Sequence, residues 1–394
     1  MKCSARFLLS VVGVLGLATT SYAQQGPSFD RLDRNSDGKI VKDELPERAQ
    51  RLFDRIDADS DGAVTKQEFQ AFERIRAQMQ RQSGMNRGQN QDAMAGVKIT
   101  RDISYLESSG EPQKLDIAVP EKPASDKPLP VLVLIHGGGW QSGSRGPYLS
   151  KALPLVRNGE FAAVSIGYRL TGRASWPAQI HDCQAGLRWV KANAEKYNWD
   201  PEKIVVWGSS AGGHLVAMLG VSADAKELDG KLGPHTDQTL EVAGVVDFFG
   251  PANMATMGEP EGFQRHNDPE SPESKLLGGA VLENLDVAKA ASPQTYVSQG
   301  DAPFLILHGT KDGTVPFQQS VDFHAALTKA GVESTFVPVN GAGHGFGGPE
   351  VDQRVRDFLD KILLGKEIEV SSEAIDSAQR PQLRQRMQQR QRPE

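Results

Sequence analysis

The chain has 394 residues, more than the ~100–200 of a typical single domain, so one large domain with an appendage is expected. Its 44 Lys and Arg against 50 Asp and Glu leave a net charge of −6, which gives no electrostatic reason for a nucleic-acid partner. The length is ample for a sizeable buried core.

In chain order, the first 23 residues read as a signal peptide. Lys2 and Arg6 form a short positive region, an apolar run follows from Phe7 to Ala18, and Ser21-Tyr22-Ala23 is a small-x-small cleavage site. The run is shorter than the ~20 residues a bilayer span needs. No later segment is apolar enough to cross, so no membrane span is expected after cleavage and the destination is the periplasm or the exterior. Cleavage leaves Cys183 as the sole cysteine, so no intramolecular disulfide is available.

Residues 24–73 form the next region. Residues 33–44 read DRNSDGKIVKDE and residues 57–68 read DADSDGAVTKQE. Both fit the twelve-residue calcium loop, with oxygen-bearing side chains at positions 1, 3 and 5, glycine at 6 and glutamate at 12. Calcium is a hard cation that takes six to eight oxygens, and the terminal glutamate can supply two. The candidate ligands are Asp33, Asn35, Asp37, Lys39 and Glu44 in the first loop. In the second they are Asp57, Asp59, Asp61, Ala63, Thr65 and Glu68. Lys39 and Ala63 stand at position 7, where such loops use a backbone carbonyl. Val41 at position 9 of the first loop offers no side-chain oxygen and leaves that place to water. Ile40 and Val64 suit a short strand pairing between the loops. The stretch resembles the EF-hand family. Only residues 45–56 separate the loops, enough for one shared helix, so a compact variant is expected. Calcium there is expected to serve structure rather than sensing.

Residues 74–97, rich in Gln, Asn, Arg and Met with scattered Gly, read as a linker. Residues 98–366 alternate strand-like apolar runs with helical patterns. The runs are 131–135, 161–166, 204–207, 242–249, 303–307 and 334–339, with helices such as 177–197 and 316–330 between them. Near-continuous apolar runs of this length suit strands covered on both faces. The expected fold is α/β, a mostly parallel central sheet flanked by helices, with residues 99–119 supplying a leading antiparallel pair. Residues 252–298 form an insertion that is a candidate partial lid. Residues 367–394, Gln/Arg-rich towards the end, are expected to be disordered.

Four groups follow strands directly, where such sheets place their chemistry. Gly208-Ser209-Ser210-Ala211-Gly212 makes a strand–Gly-x-Ser-x-Gly–helix turn that would expose Ser210 as a nucleophile. His136-Gly137-Gly138-Gly139-Trp140 lets backbone N–H groups approach a substrate oxygen. Gly138 or Gly139 with Ala211 would form the oxyanion hole. Asp312 in HGTKDGTV and His344 in GAGHGFG complete the order nucleophile, acid, base. His214 reads as a packing histidine, His181 and Asp182 as structural. Trp140 is equally compatible with lining an acyl pocket and with covering the sheet edge. Tyr168 and Arg169 end a strand within possible reach of substrate.

HGGGW, GSSAGGHL, HGTKDGTV and GAGHGF, in that order, resemble the α/β-hydrolase superfamily. The resemblance covers residues 98 to 364 and lies in the branch of hormone-sensitive-lipase-like and carbohydrate esterases, with acetyl xylan and feruloyl esterase relatives. Lipase-like members typically carry Asp before the nucleophile. Ser209 stands there instead, which favours the polysaccharide-ester branch. The resemblance implies an acyl-enzyme route without a catalytic cofactor, on acetyl or feruloyl esters of polysaccharides. The competing readings are a kynurenine-formamidase-like amide hydrolase, a dipeptidyl-peptidase-like hydrolase, and a catalytically dead calcium-dependent binding protein. The export signal argues against the first, the missing propeller against the second, and the complete triad against the third.

Overall fold

A computed structural model describes residues 29–45, 53–57, 61–70, 95–107 and 113–377. The expected signal peptide, most of the linker, Asp59 and the end of the tail lie outside the described residues. The chain divides into two compact units, residues 1–90 and 91–394.

In the first unit, strand β1 (Lys39–Val41) pairs antiparallel with β2 (Ala63–Thr65), and Ile40 stands opposite Val64. Each loop's β-branched residue at position 8 is thus the centre of a two-stranded ribbon, with both side chains buried. Phe29, Leu45, Phe53, Ile56 and Phe69 close around them. The rings of Phe29 and Phe69 meet edge-to-face at 5.7 Å. One ribbon of two three-residue strands cannot stand alone in water; this apolar cluster holds it.

The second unit is built on a nine-stranded sheet. Strands β3 (Val97–Leu106) and β4 (Gln113–Pro120) form the leading antiparallel pair. They are followed by β5 (Leu129–Ile135), β6 (Ala162–Ile166), β7 (Trp199–Ser209), β8 (Gly244–Phe248), β9 (Phe304–Gly309), β10 (Ser334–Asn340) and β11 (Ile375–Asp376). The spatial order is β3-β4-β6-β5-β7-β8-β9-β10-β11, parallel from β6 onward. All of β5 is buried, and its side chains alternate between two cores. Val131, Val133 and Ile135 pack with Leu187, Leu215 and Phe323 on one face. Leu132 and Leu134 pack with Leu149, Val156 and Phe358 on the other. Apolar residues at every position therefore satisfy both faces at the two-residue period of a strand. The helices Ala178–Ala192, Ala211–Val221 and Gln318–Lys329 cover the first face. Arg145–Leu149, Leu153–Arg157 and Pro349–Leu364 cover the second.

Three expectations need correction. The helix over 177–197 is two helices, Ala178–Ala192 and Ala194–Tyr197, interrupted at Asn193. Val97, assigned to the linker, begins β3 and is buried. Residues 367–377, assigned to a disordered tail, are part of the fold: Val370 and Ile375 are buried, and β11 adds in parallel to β10 through Val339 and Asn340. Two apolar residues in a polar stretch sufficed to dock it, a signal too sparse for composition to register.

Chain order reverses about β5, which lies between β6 and β7. The crevice beyond the carboxyl ends of β5 and β7 is the topological switch point where open α/β sheets bind ligands.

Candidate active site

Ser210 sits at that crevice, between β7 and the helix Ala211–Val221. Its φ of 56° and ψ of −125° are a costly conformation for a residue with a Cβ. The turn is possible because its neighbours lack side chains. A Cβ on Gly208 would overlap the carbonyl of Gly212, and one on Gly212 would overlap that of Ile135. The Ser210 N–H is tied to Phe248 O at 2.9 Å and its carbonyl accepts from His214 N at 2.9 Å. The strained residue is over-determined on both sides.

Ser210, His344 and Asp312 lie in line. Ser210 Oγ is 3.0 Å from His344 Nε2, and His344 Nδ1 is 2.7 Å from Asp312 Oδ2. With the carboxylate as acceptor, Nδ1 carries the proton and Nε2 is left to receive the serine hydroxyl. Asp312 Oδ1 accepts from the N–H groups of Thr314 and Val315 at 2.7 and 3.0 Å. Burial alone would push the Asp312 carboxyl up. Hydrogen bonds from His308, His344 and the Thr314 N–H outweigh that and hold it well below the usual carboxylate range. Asp247, on the preceding strand β8, instead accepts from Gly250 N at 2.9 Å, and burial raises it to about 7.

His308 is a member that sequence reasoning quoted within HGTKDGTV but left without a role. It is fully buried, with Nε2 3.2 Å from both Asp312 Oδ2 and Val315 O and Nδ1 2.7 Å from Ser320 Oγ. Two acceptors at Nε2 place the proton there, so Nδ1 accepts from Ser320. Asp312 Oδ2 is thereby shared by two imidazoles, and His308 fixes the carboxylate that orients His344.

The glycine loop closes the other side. Gly138 and Gly139 have φ of 116° and 58°. The Gly138 carbonyl is turned away to accept from Gln141 N and Ser142 N at 3.1 Å. Among the described residues the N–H groups of Gly138, Gly139 and Ala211 donate to no protein acceptor, which leaves them available to an oxyanion. Trp140 ends the loop almost fully buried, and its Nε1 donates to His214 Nδ1 at 3.2 Å. His214 Nε2 in turn donates to Ala291 O at 2.7 Å, and burial lowers its pKa to about 4, so it is neutral. His214 therefore bolts the glycine loop and the insertion to the nucleophile helix. Ser209 accepts from the buried Tyr148 hydroxyl at 3.0 Å.

The cavity over Ser210 holds about 650 Å³. Trp207, Phe248, Phe249 and Phe346 give it aromatic walls, and the insertion contributes His266, Pro272 and Glu273. The insertion thus supplies part of the cavity wall, and Trp140 lines the cavity as well as packing. Tyr168 and Arg169 are not there. Tyr168 is buried with its hydroxyl donating to His136 O at 2.9 Å. Arg169 is clamped by Asp182 through Nε and Nη2 at 2.8 and 2.7 Å. Both border a separate groove.

In the first unit the two loops repeat one geometry. Asp33 accepts from Asp37 N and Gly38 N at 3.1 and 2.9 Å, as Asp57 does from Asp61 N and Gly62 N at 3.2 and 3.0 Å. Glu44 accepts from Val41 N at 3.0 Å and Glu68 from Thr65 N at 2.8 Å. Gly38 and Gly62, at φ of 85° and 86°, supply the left-handed turn. The donor set is that of a hard oxygen-seeking cation. Among the described residues no three His, Cys, Asp or Glu side chains converge closely enough to hold an ion. The carboxylates are drawn instead to loop N–H groups.

The BD-FAE family model matches residues 115–327, and the EF hand model matches residues 27–46 and 49–72. Esterase LipQ of Mycobacterium tuberculosis is 32% identical over 274 residues, covering 67% of this chain and 62% of the relative. Esterase LipC of the same organism is 30% identical over 221 residues, covering 56% and 54%. The chain therefore spans little more than half the length of these curated relatives. Among solved structures, a truncated form of a carbohydrate esterase from gut microbiota is similar with a TM-score of 0.62 and 33% identity. That match covers 68% of this chain and 96% of the other. A bifunctional GH43-CE protein of Bacteroides eggerthii also has a TM-score of 0.62 at 33% identity, covering 67% of this chain and 38% of the other.

Proposed function

The chain belongs to the BD-FAE family of α/β-hydrolases, and from that premise we propose that it is an exported serine carboxylic ester hydrolase. Its proposed substrates are acetyl or feruloyl esters carried on polysaccharides, in keeping with the carbohydrate-esterase neighbours. The observation that carries the reading is the hydrogen-bonded line from Ser210 through His344 to Asp312, at 3.0 and 2.7 Å.

The chemistry follows from that line. Ser210 Oγ attacks the ester carbonyl carbon while its proton passes to His344 Nε2. Asp312 stabilises the resulting imidazolium and does not itself take the proton. The carbonyl oxygen becomes an oxyanion facing the N–H groups of Ala211 and of Gly138 or Gly139. The tetrahedral adduct collapses, the C–O bond to the alcohol breaks, and the departing oxygen takes the proton from His344. Water then repeats the sequence on the acyl-serine, giving the carboxylic acid and free Ser210.

The EF-hand unit is proposed to bind calcium as a structural ion. Asp33, Asn35, Asp37, the Lys39 carbonyl and Glu44 would hold it in the first loop, and Asp57, Asp59, Asp61, the Ala63 carbonyl, Thr65 and Glu68 in the second. The bound ion would neutralise carboxylates crowded into one turn. The signal-like first 23 residues support export.

Turnover of p-nitrophenyl acetate by the wild type and a Ser210→Ala variant tests the enzyme reading. Loss of a triad nucleophile is expected to lower kcat by about 10⁶-fold. A serine-directed phosphonate should add at Ser210, and addition at Ser209 would refute the assignment. Acetylated xylan, methyl ferulate and N-formylkynurenine, compared on the same preparation, separate the proposed substrates from the amide reading.

A further inference from the structure

The insertion carries a pair of ionisable side chains that the triad does not use. His266 lies in the short 3-10 turn Gln264–Asn267, and Glu273 in the first turn of the helix Pro272–Leu277. Each is 4% exposed, and both line the cavity over Ser210. His266 Nδ1 lies 3.0 Å from Glu273 Oε2. The approach is misaligned, so both ring nitrogens of His266 and Oε2 of Glu273 lack a hydrogen-bond partner. Buried polar atoms of this kind cost free energy unless something satisfies them.

The segments that carry the pair are held in place. Ser271 Oγ donates to the His266 carbonyl at 2.9 Å and also accepts from Ser274 N at 3.0 Å, capping the helix that bears Glu273. The Phe263 ring lies nearly parallel to the imidazole at 6.0 Å. A Cβ added to Gly139 would stand 3.4 Å from Pro272, so the helix bearing Glu273 begins against the glycine loop of the oxyanion site. These atoms are closed to solvent and lack a hydrogen bond, yet both residues form part of the wall of the cavity over Ser210.

We propose, taking the serine-esterase reading as given, that His266 and Glu273 form a recognition site for a hydroxyl group of the substrate. A hydroxyl is both donor and acceptor. With the two side chains turned towards the cavity, it can donate to Glu273 Oε2 and accept from a ring N–H of His266, satisfying in one step two groups that have no hydrogen bond within the protein. An apolar group placed there would bury them unpaired, so the same pair also discriminates against substrates without a hydroxyl. Two sources of that hydroxyl fit the proposed substrates: a sugar hydroxyl beside the ester, and a phenolic hydroxyl on an aromatic acyl group.

The test compares matched substrates on wild type, His266→Gln and Glu273→Gln. One arm uses an acetylated methyl xyloside against its deoxy analogue. The other uses methyl 4-hydroxycinnamate against methyl cinnamate. Rates are normalised to Ser210 titrated with a phosphonate, so misfolded protein does not enter. The quantity read is the kcat/KM ratio of the hydroxylated to the hydroxyl-free member. In the wild type this ratio should exceed one in at least one arm, and both variants should lower it there by about tenfold or more, the loss of one good hydrogen bond. The arm that responds identifies the source. Equal losses on both members of each pair, or unchanged ratios in both arms, would overturn the proposal and leave the pair a structural one. No labelling of Ser210 in the wild type would instead overturn the esterase reading, and this proposal with it.

Discussion

Both units bury aspartates, Asp33 and Asp57 in one and Asp312 in the other, but surround them differently. In the EF-hand unit Asp33 and Asp57 open loops whose carboxylates bond to nearby N–H groups, over a cluster of seven buried apolar residues among those described. In the hydrolase unit Asp312, Asp182 and Asp247 sit almost fully buried in a far larger core, each with partners of its own. The first unit gathers like charges within two short loops, so its stability should depend on a ligand. In the second, a larger core surrounds Asp312 and Asp182, whose hydrogen bonds to His344 and Arg169 serve orientation. A cation should therefore govern one unit and leave the other nearly untouched.

The largest effect on the hydrolase side is expected at Asp312→Asn, which should lower kcat by about 10⁴-fold with KM little changed. Steady-state kinetics on a small ester check this; a near-normal kcat would move the acid elsewhere and remove the contrast between the units. Next, His308→Ala should lower kcat by about tenfold, because Asp312 Oδ2 loses one of the two imidazoles that fix it. KM should hold, and His308→Gln, which keeps a donor, should recover part of the loss. A merely structural role would change both parameters or neither.

Asp247 gives a pH signature. Its folded pKa, about 7, lies above the unfolded reference of ~3.9. Between those values the native carboxyl keeps a proton that the unfolded chain releases. Stability from this group is therefore full below pH ~4 and falls as pH rises towards 7, by roughly 1.4 kcal/mol per unit at most. Asp247→Asn keeps an acceptor for Gly250 N and cannot ionise, so its stability should fall less over that window. Denaturation at several pH values on both proteins measures the difference. Asp312, held low, acts with the opposite sign and at lower pH: its contribution is lost as the medium falls below the ordinary carboxylate range. It is common to both proteins and cancels in the comparison.

The smallest effect on turnover should come from chelation. EDTA is expected to sensitise residues 24–80 to proteolysis while changing the turnover of a small ester less than about twofold, since no member of the triad comes from that unit. Within the unit, the second loop offers Asp57, Asp59, Asp61 and Glu68, whereas the first offers Asp33, Asp37 and Glu44 with neutral Asn35. The second should bind calcium more tightly. Calorimetry on Glu44→Gln and Glu68→Gln should show the tighter site lost with Glu68; the reverse would defeat the charge argument.

Patterns of short range were readable along the chain. Apolar runs of four to eight residues are enough to define strands buried on both faces, because the two-residue period of a strand leaves no polar face to record. Glycines around Ser210 and in residues 137–139 announce tight backbone approaches, because no other residue fits them. The EF-hand loops are legible because their candidate ligands lie within twelve consecutive residues. Ser210, Asp312 and His344 could each be placed after a strand, but their meeting is a property of the sheet order, which brings residues 134 apart in sequence to 3.0 Å. His214 was readable as a packing histidine, but its partners Trp140 and Ala291, the role of His308 and the meeting of His266 with Glu273 belong wholly to the tertiary structure. A histidine or glutamate has the same letter whether it faces water or a cavity. Burial and partners, contributed by segments far away in the chain, decide whether it packs, positions or binds.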